Sequence, residues 1–220
     1  MNNNLGPIFS NKEKYAPGII EQYYINLNYY KKAQNKFFVE LGAGNGIVQS
    51  NTKTLESKYG WSGLLIEGND VLYNDLKTNR PNCVLRNEVV WKEDNQKVKF
   101  KEIKYRENVS NSEYLGNSKI ITDEFTPFEV SKTTKTLKSI LLEANAPKII
   151  DFMVVDVEDS FYEVLQGMDF KNFQVNFICV EMKLDKSLIH TINFLISNNF
   201  KLIKCCNSGP DFYFINNDNR

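Results

Sequence analysis

The chain has 220 residues, with 27 basic and 27 acidic side chains and a formal net charge of zero. That length favours one domain with a full core, so 1–220 is read as a single domain. Balanced charge creates no overall field toward nucleic acid or an anionic membrane, and neither is an expected partner. No apolar run approaches the length of a membrane span, and the start Met1-Asn2-Asn3-Asn4-Leu5-Gly6-Pro7 lacks the charged and apolar regions of a signal peptide. Cys83, Cys179, Cys205 and Cys206 have no metal-ligand spacing. A reduced, cytoplasmic protein is expected.

Residues 1–35 read as a polar arm followed by an amphipathic helix, with Ile19, Ile20, Tyr23, Tyr24, Leu27 and Tyr30 at helical spacing. Phe37-Phe38-Val39-Glu40-Leu41 is a short apolar run that enters Gly42-Ala43-Gly44-Asn45-Gly46, a loop with glycine at every second position. Such a run is the mark of a strand covered on both faces, and glycines after it allow positive φ and close approach of a ligand to bare backbone. The third glycine comes one residue too early for the dinucleotide fingerprint, and Glu40 has no place in it.

Ser50 to Tyr59 then reads as a helix closed by Gly60, and Gly63 to Glu67 as a second buried strand. Asp70 to Thr78 is a helix stopped before Pro81. Cys83 to Val90 gives a third strand with its exit loop, and 98–105 alternate as an antiparallel or edge strand. Residues 106–131 have no regular pattern and are read as a lid or substrate loop. A helix from Thr136 to Asn145, a fourth strand from Ile149 to Asp156, and a helix from Phe161 to Gly167 follow. Val175 to Glu181 is a fifth strand, Ser187 to Asn198 a helix, and 200–205 with 211–215 a terminal strand pair. Alternation of strands and helices implies an α/β fold, a doubly wound, mostly parallel sheet with helices on both faces and an antiparallel edge strand.

Ligands of open parallel sheets bind beyond the carboxyl ends of the strands. Glu40, Glu67, Asp156 and Glu181 each end a predicted strand. Glu67 is placed to accept the two hydroxyls of a ribose, and Asn87, in the loop after the third strand, to read an adenine edge. Glu40 either holds the glycine loop through backbone amides or faces a ligand's ammonium group.

These residues resemble the FkbM-type methyltransferases, a Rossmann-like family. The resemblance lies in Phe38 to Gly46 with Ser50-Asn51-Thr52, in Gly60 to Asn69, in Asn79-Arg80-Pro81-Asn82 and in Asn87-Glu88-Val89-Val90. It continues through Thr136 to Leu141, through Ile150 to Glu158, and through Val164-Leu165-Gln166-Gly167. It implies methyl transfer from S-adenosylmethionine to a hydroxyl, often on a sugar or a natural product, and the expected partner is a small molecule, a sugar or sugar nucleotide above all. The cofactor-binding residues it implies are Glu40, Gly42, Gly44, Gly46, Ser50, Glu67 and Asn87. Three positions depart from the family pattern. Asp159-Ser160-Phe161 replaces Gly-Ala-Glu, Gly68 replaces a proline, and Lys138 replaces an aspartate.

A weakly nucleophilic hydroxyl gains from a general base. Asp156 and Glu158, two positions apart, share a face if the strand continues, and their proximity raises one pKa. Glu181, on the neighbouring strand, joins them as a catalytic candidate. A divalent cation held by the three carboxylates is the less favoured alternative. Two further readings stay open: a non-catalytic binding module, favoured by the Asp159 to Phe161 departure, and, behind it, an RNA cap-ribose methyltransferase. A homodimer is one oligomeric state left open. His190 is expected to be a structural or surface residue.

Overall fold

The computed structural model describes residues 35–102, 119–121, 129–205 and 211–218. The expected helix within 1–35 lies outside them, as do 106–118 and 122–128 of the expected lid.

Thirteen strands can be numbered among the described residues. Phe37–Leu41 (β1), Ser62–Ile66 (β2) and Val84–Arg86 (β3) form one half of the main sheet. Phe152–Val155 (β9), Phe177–Glu181 (β11), Phe200–Cys205 (β12) and Asp211–Asn216 (β13) form the other. The strand order is β12-β13-β11-β9-β1-β2-β3. β1 pairs in parallel with both β2 and β9, so the order reverses between β1 and β9. That reversal is the switch point at which such sheets open a ligand crevice. β13 runs antiparallel to both β11 and β12, so the reversed strand lies one place in from the edge. Ile149–Ile150 (β8) and Gln174–Val175 (β10) pair in parallel just before β9 and β11.

Among the described residues, five α-helices connect these strands. Lys53–Tyr59 (α1) ends where Gly60 turns left-handed at φ 67°, the usual glycine stop. Asp70–Asn79 (α2) starts on Asn69, whose side chain accepts from the N–H groups of Val71 and Leu72. Leu137–Glu143 (α3), Phe161–Gln166 (α4) and Lys186–Ser197 (α5) pack on the opposite face. Period-2 alternation along β1 separates two cores. Val39 and Leu41 join Leu137, Ile140, Val164 and Leu195 on one side; Phe38 joins Leu55, Trp61 and Leu76 on the other.

A second sheet was not expected. Val89–Val90 (β4), Lys97–Lys101 (β5), Lys119–Ile121 (β6) and Glu129–Lys135 (β7) are ordered β4-β7-β5-β6. Val89 and Val90 thus leave the main sheet, whereas their apolar pattern reads as the exit of the third strand. Residues 119–121 and 129–131, within the expected loop, are strand. The small sheet covers the end of β2: Phe100 and Val89 pack where a side chain at Gly68 would stand. Lys132 clamps it there, with Nζ 2.8 Å from Glu102 and 2.5 Å from Asp70. At its other edge, β6 runs against the turn Glu158–Ser160 that follows β9.

Candidate active site

β1 delivers the glycine loop to the switch point. Gly42, Gly44 and Gly46 all take positive φ, at 74°, 56° and 78°. The N–H groups of Gly42 and Ala43 both donate to the Ile66 carbonyl, at 3.0 and 3.1 Å. This ties the loop to the end of β2. Two of the glycines are also required by crowding. A β-carbon on Gly42 would stand 1.8 Å from the Asp156 carbonyl oxygen, and one on Gly46 would stand 2.5 Å from Leu76 and 2.6 Å from Arg80. Gly44 is different, because no described residue lies within 4 Å of its missing β-carbon. It presents bare backbone to open space.

Glu67 directly follows β2 and is 5% exposed. One carboxylate oxygen accepts from the Gly44 N–H at 2.8 Å, and the other from the Asn69 N–H at 2.8 Å. Burial raises its pKa, against the lowering effect of those N–H groups and of Gly68. Glu67 therefore braces the glycine loop as well as following its strand at the crevice. Asn87 lies half-buried just beyond β3, next to Arg86, whose carbonyl accepts from the Glu67 N–H.

Glu40 meets one backbone amide and two hydroxyls in the segment after the glycine loop. It is 2% exposed and accepts from the Asn51 N–H at 2.7 Å, the Ser50 hydroxyl at 3.1 Å and the Thr52 hydroxyl at 2.5 Å. Burial raises its pKa despite these bonds and the nearby Arg80 charge. Ser50 is buried, and its hydroxyl is engaged by Glu40, Lys53 N–H and Arg80. Both residues shape the loop and the start of α1 from beneath.

Asp156 follows β9 directly. Its N–H donates to the Leu41 carbonyl at 3.2 Å, which sets it beside Gly42 at the switch point. Its carboxyl is held well above the usual carboxylate range, first by burial and then by the charges of Glu181, Glu158, Asp211 and Glu40. Strand register explains the gathering. Phe38, Phe152, Phe177 and Tyr213 share one core, so Glu40, Asp156, Glu181 and Asp211, each two or four positions along, fall on the same face. Glu181 stands opposite Asp211 in the β11–β13 pair.

Glu158 reaches this cluster by another route than expected. The strand stops at Val155, and Glu158 opens a 3₁₀ turn with φ 56°. It shares no strand face with Asp156, yet its charge still acts on it. Lys183 lies 3.7 Å from Glu158 and also bonds Asp159. Among the described residues no three His, Cys, Asp or Glu side chains are grouped to hold a metal ion. His190 is exposed on α5, its ring 6.0 Å from that of Tyr162.

A sequence profile described as the methyltransferase FkbM domain matches residues 40–202. The chain belongs to the FkbM methyltransferase family. No curated protein matches it closely. Among solved structures, the METTL16 methyltransferase domain superposes with TM-score 0.50 at 12% identity, over 89% of this chain and 64% of that one. The chain thus spans less than two thirds of that domain. A human methyltransferase 10 domain containing protein matches at 11% identity and TM-score 0.45, over 87% of this chain and 81% of its own. The precorrin-6y C5,15-methyltransferase from Geobacter metallireducens matches at 10% and 0.43, over 86% of each chain. At 12% identity the likeness to the METTL16 domain is one of fold.

Two residues to which the sequence pattern assigns no role bear on the site, and the first lies beyond the stretch that the family profile matches. Asp211 adds a carboxylate because β13 runs backwards and starts at the crevice. Arg80, at the end of α2, is completely buried beneath the loop. An arginine in the last turn of a helix reads as a solvated cation suited to the helix dipole. The one available signal was its place between Asn79 and Pro81 in a segment shared with the family.

Proposed function

We propose that the protein is an S-adenosylmethionine-dependent O-methyltransferase whose acceptor is a hydroxyl of a small molecule, a sugar above all. The observation that carries this is the position of Asp156: its backbone lies against Gly42, and its carboxyl is driven toward proton affinity by burial and neighbouring carboxylates. The residues fit the cofactor. Gly44 offers an open backbone face, Glu67 borders it, and Asn87 follows at the next strand end.

Bound S-adenosylmethionine would supply an electrophilic methyl group on sulfur. Glycine-loop backbone and Glu67 would hold it, and the small sheet, reaching from Gly68 to the turn after β9, would exclude water from the crevice. Asp156 would take the proton from the acceptor hydroxyl, and Glu158 and Glu181 would keep that base strong. The carboxylate charges of Glu181 and Asp211 beside Asp156 repel anions, which supports a neutral sugar over a sugar nucleotide and disfavours RNA.

Calorimetric titration with S-adenosylmethionine, followed by a labelled-methyl screen over sugars and sugar nucleotides, tests the reading. Binding is expected, with transfer lost in Asp156→Asn while binding persists. Absence of binding by the folded chain refutes it. Binding without transfer to any acceptor favours the non-catalytic module, for which the Lys183 ion pairs of Glu158 and Asp159 speak.

A further inference from the structure

Arg80 is 0% exposed, and every N–H of its guanidinium meets an acceptor. Nε donates to Glu56. Nη1 donates to the Gly46 carbonyl and to the Ser50 hydroxyl, both at 3.1 Å. Nη2 donates to the Thr52 hydroxyl at 3.0 Å and contacts the Cys83 sulfur at 3.9 Å. An arginine has five donors, and all five are used. Its stem also fills the space that Gly46 leaves, since a β-carbon there would stand 2.6 Å from Arg80 Cγ. The ring of Phe38 in β1 lies 5.6 Å from the guanidinium.

Burying a cation this completely is costly unless its geometry is satisfied throughout. The contacts here are not spread over the fold. Four of the five go to the segment 46–56, which is the end of the glycine loop and the start of α1. Ser50 and Thr52 pass the link on to Glu40, which holds the Asn51 N–H from the other side. Gly44, the residue with the open face, sits between this anchor and the Glu67 brace.

We infer that Arg80 is a positioning residue for the cofactor: it fixes the Gly44–Gly46 backbone in its binding shape through a five-donor lock on Gly46, Ser50, Thr52, Glu56 and Cys83. The inference rests on the cofactor reading above. Lysine cannot replace arginine in this role, because an ammonium has three donors and no planar fork.

The test uses the full chain and its Arg80→Lys and Glu56→Gln variants, titrated with S-adenosylhomocysteine and followed by amide hydrogen exchange. Arg80→Lys should weaken binding on the order of tenfold. Its exchange should quicken across 43–52 and stay unchanged in β9 and β11. Its kcat at saturating cofactor should stay within about twofold of the parent, with the loss confined to the cofactor KM. Glu56→Gln leaves four of the acceptors and should weaken binding about threefold; it decides the matter if Arg80→Lys does not fold. Unchanged affinity in either folded variant overturns the inference, as does exchange that quickens evenly through the whole sheet. Failure of the parent chain to bind instead overturns the cofactor reading itself.

Discussion

Gly42→Ala and Gly44→Ala add the same methyl group to two left-handed residues of one loop, and their effects should differ sharply. Both positions have positive φ, 74° and 56°, so alanine carries about 1 kcal/mol of backbone strain at either. At Gly44 strain is the cost, because the new carbon has no neighbour within 4 Å among the described residues. At Gly42 it would lie 1.8 Å from the Asp156 carbonyl oxygen and 2.9 Å from the carbonyl carbon. Asp156 is held by its N–H bond to Leu41, so relief requires β1 and β9 to part at their ends. Overpacking of that kind adds about 3 kcal/mol. For a chain of this size, about 1 kcal/mol moves Tm by roughly 2–4 °C. Scanning calorimetry should therefore show a fall of about 2–4 °C for Gly44→Ala and about 8 °C or more for Gly42→Ala. Titration with S-adenosylhomocysteine should reverse the ranking relative to stability, because the Gly44 methyl enters the face left open for a ligand. Equal Tm values for the two variants would refute the contact reasoning. Parental affinity in Gly44→Ala would refute the placement of the cofactor there.

Asp156→Asn should lower kcat by on the order of a hundredfold or more, read with saturating cofactor. It should also raise stability at neutral pH. A carboxyl whose folded pKa is raised binds its proton more tightly in the native state, so its contribution is full below the ordinary carboxylate range and is lost as pH climbs through the raised value. Urea denaturation should show the variant's advantage at neutral pH and little of it in acid. The acidic limb of the parent's pH–rate profile should lie well above the ordinary carboxylate range for the same reason. Glu67→Gln gives up one carboxylate acceptor for the Gly44 and Asn69 N–H groups and should cost about 1–3 kcal/mol in urea denaturation. Asn69→Ala removes the cap of α2 and should cost about 1 kcal/mol, with cofactor affinity unchanged.

Strands and helices of the main sheet were legible where local pattern and burial agree. The helix stops at Gly60 and before Pro81, the alternation in β5, and the positive φ of the three loop glycines all follow from residue chemistry. The β4–β7–β5–β6 sheet was not legible, because Val89-Val90 reads as the tail of a strand until its partner β7 is known. Residues 119–121 and 129–131 look irregular for the same reason: their ladder bonds go to β5, far away in sequence. Glu158 was placed on the Asp156 face by a period that ends at Val155, where the chain turns.

The sequence by itself determined the glycine loop, the acids that close the strands, the α/β alternation and the family, since each is written in neighbouring residues. Tertiary structure decided which of those groups meet. It set Asp156 under Gly42 through the β1–β9 pairing, turned Glu40 inward to Ser50, Asn51 and Thr52, and brought Asp211 in on the reversed strand. It also buried Arg80, whose charge gave no warning of it. Backbone conformation is a local property of residue type, whereas a hydrogen-bond partner or a neighbouring charge is fixed only when distant segments pack.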